Sequence, residues 1–170
     1  MYITRDTIRV LHVDDEPGLA EASGAYLEKE DERLDVEPVT SVREGLERLA
    51  ADEFDCIVSD YDMPEQNGIE FLQAVRPEYP NLPFILYTGK GSEEIASKAI
   101  SAGVTDYLQK RSGTEQYVLL ANRIITSVNG YLAQQEADWQ DTVIENMGEG
   151  VYVFDSSYKI QYVNFRVSDI

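Results

Sequence analysis

Five short apolar runs, each followed by a stretch with helical spacing, constrain this chain more than any other feature. The runs are Ile8 to Val13 (IRVLHV), Leu34 to Val39, Phe54 to Ser59, Phe84 to Thr88 and Val104 to Leu108. They are rich in β-branched and aromatic residues and read as strands. Leu19, Ser23, Tyr26 and Leu27 recur at helical intervals after the first run. Val42, Leu46 and Leu49 follow the second, and Ile69, Leu72 and Val75 the third. The helix boundaries are also written in the sequence. Ser41 and Glu44 have the S-x-x-E spacing of a capping box, and Ser92 stands before Glu93 and Glu94, which suit the positive end of a helix. Pro77 and Gly103 close two of the helices. Short connections between alternating strands and helices imply a parallel sheet with helices on both faces. Right-handed crossovers leave few topologies open.

For a chain of this length the flavodoxin-like order 2-1-3-4-5 is the commonest, a doubly wound five-stranded α/β sheet. It places strands 1 and 3 side by side, and ligands bind at the carboxyl ends of the strands near that switch point. The polar residues collect there. Asp14 and Asp15 end strand 1, Asp60 ends strand 3, Thr88 ends strand 4, and Lys110 follows strand 5. Pro64 and Gly68 then hold the chain after Asp60 in a turn. Three converging carboxylates repel unless a cation sits among them. A hard, oxygen-seeking ion such as Mg²⁺ answers that need. With a hydroxyl and an ammonium aimed at the same place, the set suits phosphoryl transfer to one carboxylate.

Composition sets the outer limits. The chain has 170 residues, 43% of them apolar, enough for one cored domain and an appendage. A net charge of -18 argues against a nucleic-acid surface, which needs a basic footprint. It also suits a surface whose self-repulsion is screened at high salt. The single cysteine, Cys56, lies in the third apolar run and reads as packing. Met1 to Asp15 carries no long apolar leader, and no run approaches membrane-spanning length, so the expected compartment is the cytoplasm.

The motifs HVDDEP (12–17), SDYDMPEQNG (59–68), LYTGKG (86–91) and GVTDYLQK (103–110) come in an order and at separations that resemble the receiver domain of two-component response regulators. The resemblance covers roughly the first two-thirds of the chain. It implies that Asp60 is the phosphoacceptor, taking its phosphoryl group from a histidine kinase or phosphotransfer protein. Asp15 would ligate Mg²⁺, Asp14 would help directly or through water, and the backbone carbonyl of Asp62 would complete the protein's share of the shell. Thr88 would bond a phosphoryl oxygen, Lys110 would pair with the aspartyl phosphate, and Tyr107 would be the switch aromatic. Phosphorylation would then remodel the surface of helix 4, strand 5 and helix 5. Asp62 and Lys90 hold positions that tune loss of the phosphoryl group. Arg111 departs from the pattern, since proline usually follows the lysine. A cis bond before a non-proline residue costs about 3 kcal/mol, so a trans bond, or a strained cis one, is expected there.

Residues 1–113 make the receiver core on this reading. From Thr114 the pattern Val118, Ala121, Ile125, Val128 and Leu132 predicts helix 5 running on to about Glu145 (114–145), as a solvated linker or a surface for pairing with a second chain. Residues 146–170 contain two strand-like runs, Val151 to Phe154 and Ile160 to Val163, that read as a β-hairpin. ENMGEGVYVFD…IQYVN resembles the opening of a PAS sensor domain, here incomplete.

Three other readings are weaker. His12 is the only histidine and lies within a strand, which suits a structural residue better than a phosphodonor. Gly89-Lys90-Gly91-Ser92 lacks the upstream glycine of a phosphate loop. Asp60-Tyr61-Asp62 has the Asp-x-Asp of a haloacid-dehalogenase-type phosphohydrolase, but that family's nucleophile strand comes first and would leave Asp14 and Asp15 without a role. Tyr26 and Tyr152 read as core.

Overall fold

A computed structural model of the chain describes residues 6–89, 91–146, 152–154 and 160–163, with side chains in 6–89 and 91–142. The chain forms two compact units, residues 1–131 and 132–170. In the first, β1 (Ile8–Val13), β2 (Leu34–Val39), β3 (Cys56–Ser59), β4 (Phe84–Thr88) and β5 (Asp106–Gln109) make one parallel sheet in the order β2-β1-β3-β4-β5. The helices between them are α1 (Pro17–Glu30), α2 (Val42–Ala51), α3 (Gly68–Val75) and α4 (Glu93–Ser101), and α5 (Glu115–Asn146) follows β5. The predicted fold class and strand order are those observed.

Side chains alternate across a strand, so each sheet face receives every second residue. Leu11 and Val13 of β1, Ile57 of β3, and Phe84 and Leu86 of β4 pack with Val42 and Leu49 of α2, Phe71, Leu72 and Val75 of α3, and Ala99 of α4. The residues between them face α1: the ring Nδ1 of His12 lies 3.4 Å from the Ala20 carbonyl. Helices α1 and α5 meet through Tyr26 and Tyr117, stacked at 4.9 Å, and through the Ser23 and Tyr117 hydroxyls. Tyr26 is therefore not core: it stays 39% exposed and covers Tyr117 with one ring face.

Of the predicted stripe of α5, Ala121, Val128 and Leu132 are buried, but Val118 and Ile125 give way to their neighbours. Tyr117, Leu120, Ala121, Ile124 and Val128 are buried, whereas Val118 is exposed and Ile125 half-buried. The run Tyr117-Val118-Leu119-Leu120-Ala121 permits two helical phases, and the Tyr26–Tyr117 stack selects one. The first half of α5 thus belongs to the core.

Helix caps follow the sequence with one variation. The Ser41 hydroxyl accepts from Glu44 N–H at 3.1 Å, but Glu44 returns its bond to Thr40 N–H at 3.0 Å rather than to Ser41. Ser92 caps α4 through Ile95 N–H at 3.1 Å. A full capping box that the spacing analysis overlooked opens α3: Asn67 Oδ1 accepts from Ile69 and Glu70, and Glu70 accepts from Asn67 N–H. Two strand starts also moved. β3 begins at Cys56; just before it the Asp55 carboxylate accepts from Arg9 N–H and Phe54 lies under the Arg9 guanidinium. β5 begins at Asp106 because Val104 N–H still closes α4 on the Ala99 carbonyl.

In the second unit two strands, β6 (Tyr152–Phe154) and β7 (Ile160–Val163), pair antiparallel. The turn between them, the Tyr152 side chain and most of the PAS-like stretch lie outside the described residues. So does Lys90.

Candidate functional site: an acidic cluster at the switch point

The parallel register sets Val13 beside Ser59, so β1 and β3 end together. Asp14 and Asp60 therefore emerge as neighbours, and Asp60 N–H donates to the Val13 carbonyl at 2.9 Å. Gly68 lets the following loop close over this point. A Cβ there would stand 2.2 Å from the Asp60 carbonyl oxygen and 2.6 Å from Leu86 Cδ1, so only glycine fits. Sequence reading placed this glycine in a turn; close approach is what requires it. In the same loop Glu65 adopts φ +68°, a left-handed backbone that favours glycine.

Asp14, Asp15 and Asp60 each offer an oxygen, and the three lie within 4.8 Å of one another. Asp14 is buried, 1% exposed, and the other two are partly buried. Lys110 reaches into the cluster from the end of β5. Its ammonium donates to Asp14 Oδ2 at 2.7 Å and to Asp60 Oδ2 at 3.0 Å. Burial works against the charge on Lys110, but the bond to Asp14 and the charge and bond of Asp60 outweigh it, so its pKa is raised. Lys110 N–H is itself fixed on the Thr88 carbonyl at 2.8 Å.

An all-oxygen donor set with one fully buried carboxylate fits a hard divalent cation such as Mg²⁺. The side chain of Lys110 already places one positive charge between two of the three carboxylates, which shows what the cluster demands. Receiver domains bind Mg²⁺ at an acidic pocket of this kind.

The remaining expected residues divide. Thr88 is fully buried at the end of β4. Tyr107 is half-buried against the core, and its hydroxyl is buried with no hydrogen-bond partner. Asp62 is exposed, and its side chain is not one of the clustered three. No cis peptide bond occurs among the described residues, so the Lys110–Arg111 bond is trans. His12 is 1% exposed, and burial holds its pKa below the ordinary value, as for a structural core histidine. Among the described residues no helix is long and apolar enough to cross a membrane.

The profile of the response regulator receiver domain matches residues 10–122. The chain is similar to the response regulator SaeR of Staphylococcus aureus, with 29% identity over 146 residues, 85% of this chain and 63% of that protein. It thus spans less than two-thirds of that relative's length. Chemotaxis response regulator CheY4 of Vibrio cholerae is 29% identical, with 69% of this chain and 98% of that one covered and a TM-score of 0.64. The beryllofluoride-activated NtrC4 receiver domain dimer is 30% identical, with 71% and 98% covered and a TM-score of 0.63. A CheY-like receiver from Methanospirillum hungatei shares the fold at 24% identity, with 75% and 98% covered and a TM-score of 0.67. None of this favours a haloacid-dehalogenase-type hydrolase. A profile match across the whole sheet, on a strand order that gathers these carboxylates at one edge, shows that the chain belongs to the response regulator receiver domain family, the regulatory domains of two-component signalling.

Proposed function

We propose that Asp60 accepts a phosphoryl group from the phosphohistidine of a histidine kinase or phosphotransfer protein. An Asp60 carboxylate oxygen attacks phosphorus, the P–N bond of the donor breaks, and its electron pair stays on the imidazole. The product is a mixed anhydride, which water later cleaves to inorganic phosphate. Asp14, Asp15 and Asp60, with the Asp62 backbone carbonyl, would hold Mg²⁺. When bound, that ion supplies positive charge opposite the phosphoryl oxygens. Lys110 releases the Asp60 carboxylate and pairs with a phosphoryl oxygen, and the Thr88 hydroxyl donates to another. Tyr107, whose hydroxyl has no partner, then moves with β5 and changes the surface of α4, β5 and α5.

The observation that carries this reading is the Lys110 ammonium bridging Asp14 and Asp60 inside a cluster of three carboxylates. Labelling with acetyl phosphate tests it. Uptake is expected to need Mg²⁺ and to vanish in Asp60→Asn; a wild-type chain that never labels, or an Asp60→Asn chain that does, would overturn it.

The output is regulatory and lies in an attached or separate protein. In this proposal the far half of α5 is a signalling linker to a PAS domain that begins at residue 146, in a cytoplasmic protein. The same helix offers a homodimer surface: Trp139 is 67% exposed there, and the NtrC4 relative was solved as a dimer. Sedimentation with and without beryllofluoride tests the pairing, which a monomer under both conditions would exclude.

A further inference from the structure

Lys110 must present its ammonium to Asp60, yet the chain just after it has little to hold it. Residues 111 to 115 are all exposed. On one side the Lys110 backbone is fixed by its N–H bond to the Thr88 carbonyl. On the other side, Arg111 stands where the family's restraining proline would be, and one side chain makes two bonds to the loop and a third to the sheet. Gln116 Oε1 accepts from Arg111 N–H at 3.1 Å, and its Nε2 donates to the Gly113 carbonyl at 2.8 Å. The same Oε1 accepts from the Tyr87 hydroxyl. Tyr87 is buried, 3% exposed, in β4, one residue before Thr88, and its ring lies 5.7 Å from the Lys110 ammonium.

We propose that Gln116, anchored by Tyr87, is the positioning residue for Lys110: it clamps the loop after β5 and so holds the ammonium on Asp60. The clamp has a rigid foundation, since Tyr87 belongs to the central sheet. Burial raises the Tyr87 pKa, so its hydroxyl stays a donor throughout the neutral range. Gln116 itself sits in the first turn of α5, where free N–H groups and an exposed preceding loop would otherwise leave the start of the helix loosely tied. The inference rests on the reading of Asp60 as phosphoacceptor. It assigns no contact between Gln116 and the phosphoryl group.

The test uses the full chain, acetyl phosphate at saturating Mg²⁺, and four variants: Gln116→Ala, Gln116→Glu, Tyr87→Phe and the double Tyr87→Phe/Gln116→Ala. Misplacing a reacting group by about 1 Å costs up to about 100-fold, so Gln116→Ala is expected to slow uptake per folded molecule by about tenfold or more. Gln116→Glu keeps the acceptor for Arg111 and Tyr87 but loses the bond to Gly113, so it should label at a rate between the wild type and Gln116→Ala. The double variant should be no slower than Gln116→Ala, because both changes break one unit. Amide exchange at Arg111, read without any phosphodonor, should quicken in Gln116→Ala. A purely structural role would lower the melting temperature and leave the rate per folded molecule unchanged. Wild-type labelling beside an unaffected Gln116→Ala, or a Gln116→Glu chain as slow as Gln116→Ala, overturns the assignment alone. A wild-type chain that never labels, though its Arg111 amide is protected, overturns the phosphoacceptor reading and the assignment with it.

Discussion

Two clusters of charge lie on the first unit, and they are built on opposite terms. At the carboxyl ends of the strands, one ammonium bonds two of three clustered carboxylates, and Asp14 and Lys110 are 1% and 18% exposed in their side chains. Beside β1 and β2, Arg9 and Arg48 interlock with Asp35, Glu37 and Asp52. Those side chains keep between 27% and 61% of their exposure. The second cluster is near balance and wet, so water and salt screen it and its pairs contribute little. The first is short of positive charge and mostly dry. Solvation relieves it only in part, and a cation would relieve it further. Ion pairs of similar length thus sit in two settings, one exposed and nearly balanced, the other more buried and short of positive charge.

Substitutions can separate the two. The largest effect is expected from Lys110→Ala, which strands buried Asp14 beside Asp60. Breaking a buried pair costs about 3–5 kcal/mol, and residual water at Lys110 favours the lower figure. Urea unfolding in EDTA measures it, and added Mg²⁺ should recover part. Next, Mg²⁺ alone should stabilise the wild type by about 2.7 kcal/mol at a hundred times its Kd. Asp15→Asn should remove most of that gain, and Glu37→Gln none of it. Gly68→Ala should cost on the order of 1–3 kcal/mol as the Asp60 carbonyl is pushed away, with slower phosphoryl uptake as a second readout. Glu37→Gln itself should cost about 1 kcal/mol or less, and that loss should shrink in molar salt. The smallest effect belongs to Asp31. Its side-chain bond with Arg33, ahead of the Arg33 backbone bond, depresses its pKa to about 2. A depressed carboxylate stabilises the fold above its unfolded pKa of about 3.9. That contribution should therefore be complete at neutral pH and fade between about pH 4 and pH 2, a component missing from the acid titration of Asp31→Asn.

The sheet and most of the acidic edge were legible because their signals are local. β1, β2 and β4 begin and end where the apolar runs do. Asp14, Asp15 and Asp60 could be brought together on paper because parallel strands end on one edge. Two of the misreadings involve long-range partners: Phe54 lies under the Arg9 guanidinium and the Asp55 carboxylate accepts from Arg9 N–H, and Tyr117 of α5 stacks on Tyr26 of a different helix. The start of β5 was missed for a local reason, the Val104 bond to Ala99. Glu65 gave no sign of its left-handed backbone, because that conformation is imposed by the loop closing on Gly68. Gln116 carried no motif. A glutamine near a helix start is unremarkable until the Tyr87 hydroxyl is found bonded to it.

The Tyr107 hydroxyl sets a direction for motion. A buried donor with neither a protein nor a water acceptor costs about 1–3 kcal/mol, and the Tyr107 hydroxyl is buried without a protein partner. Any state that gives the hydroxyl water or an acceptor lies downhill along that one coordinate, even if other contacts hold it closed. Tyr107→Phe removes no bond from the present state, so it cannot weaken it by losing a contact. It can only take away the incentive to leave. One buried oxygen atom, without a protein partner, thus separates tyrosine from phenylalanine at this point of β5.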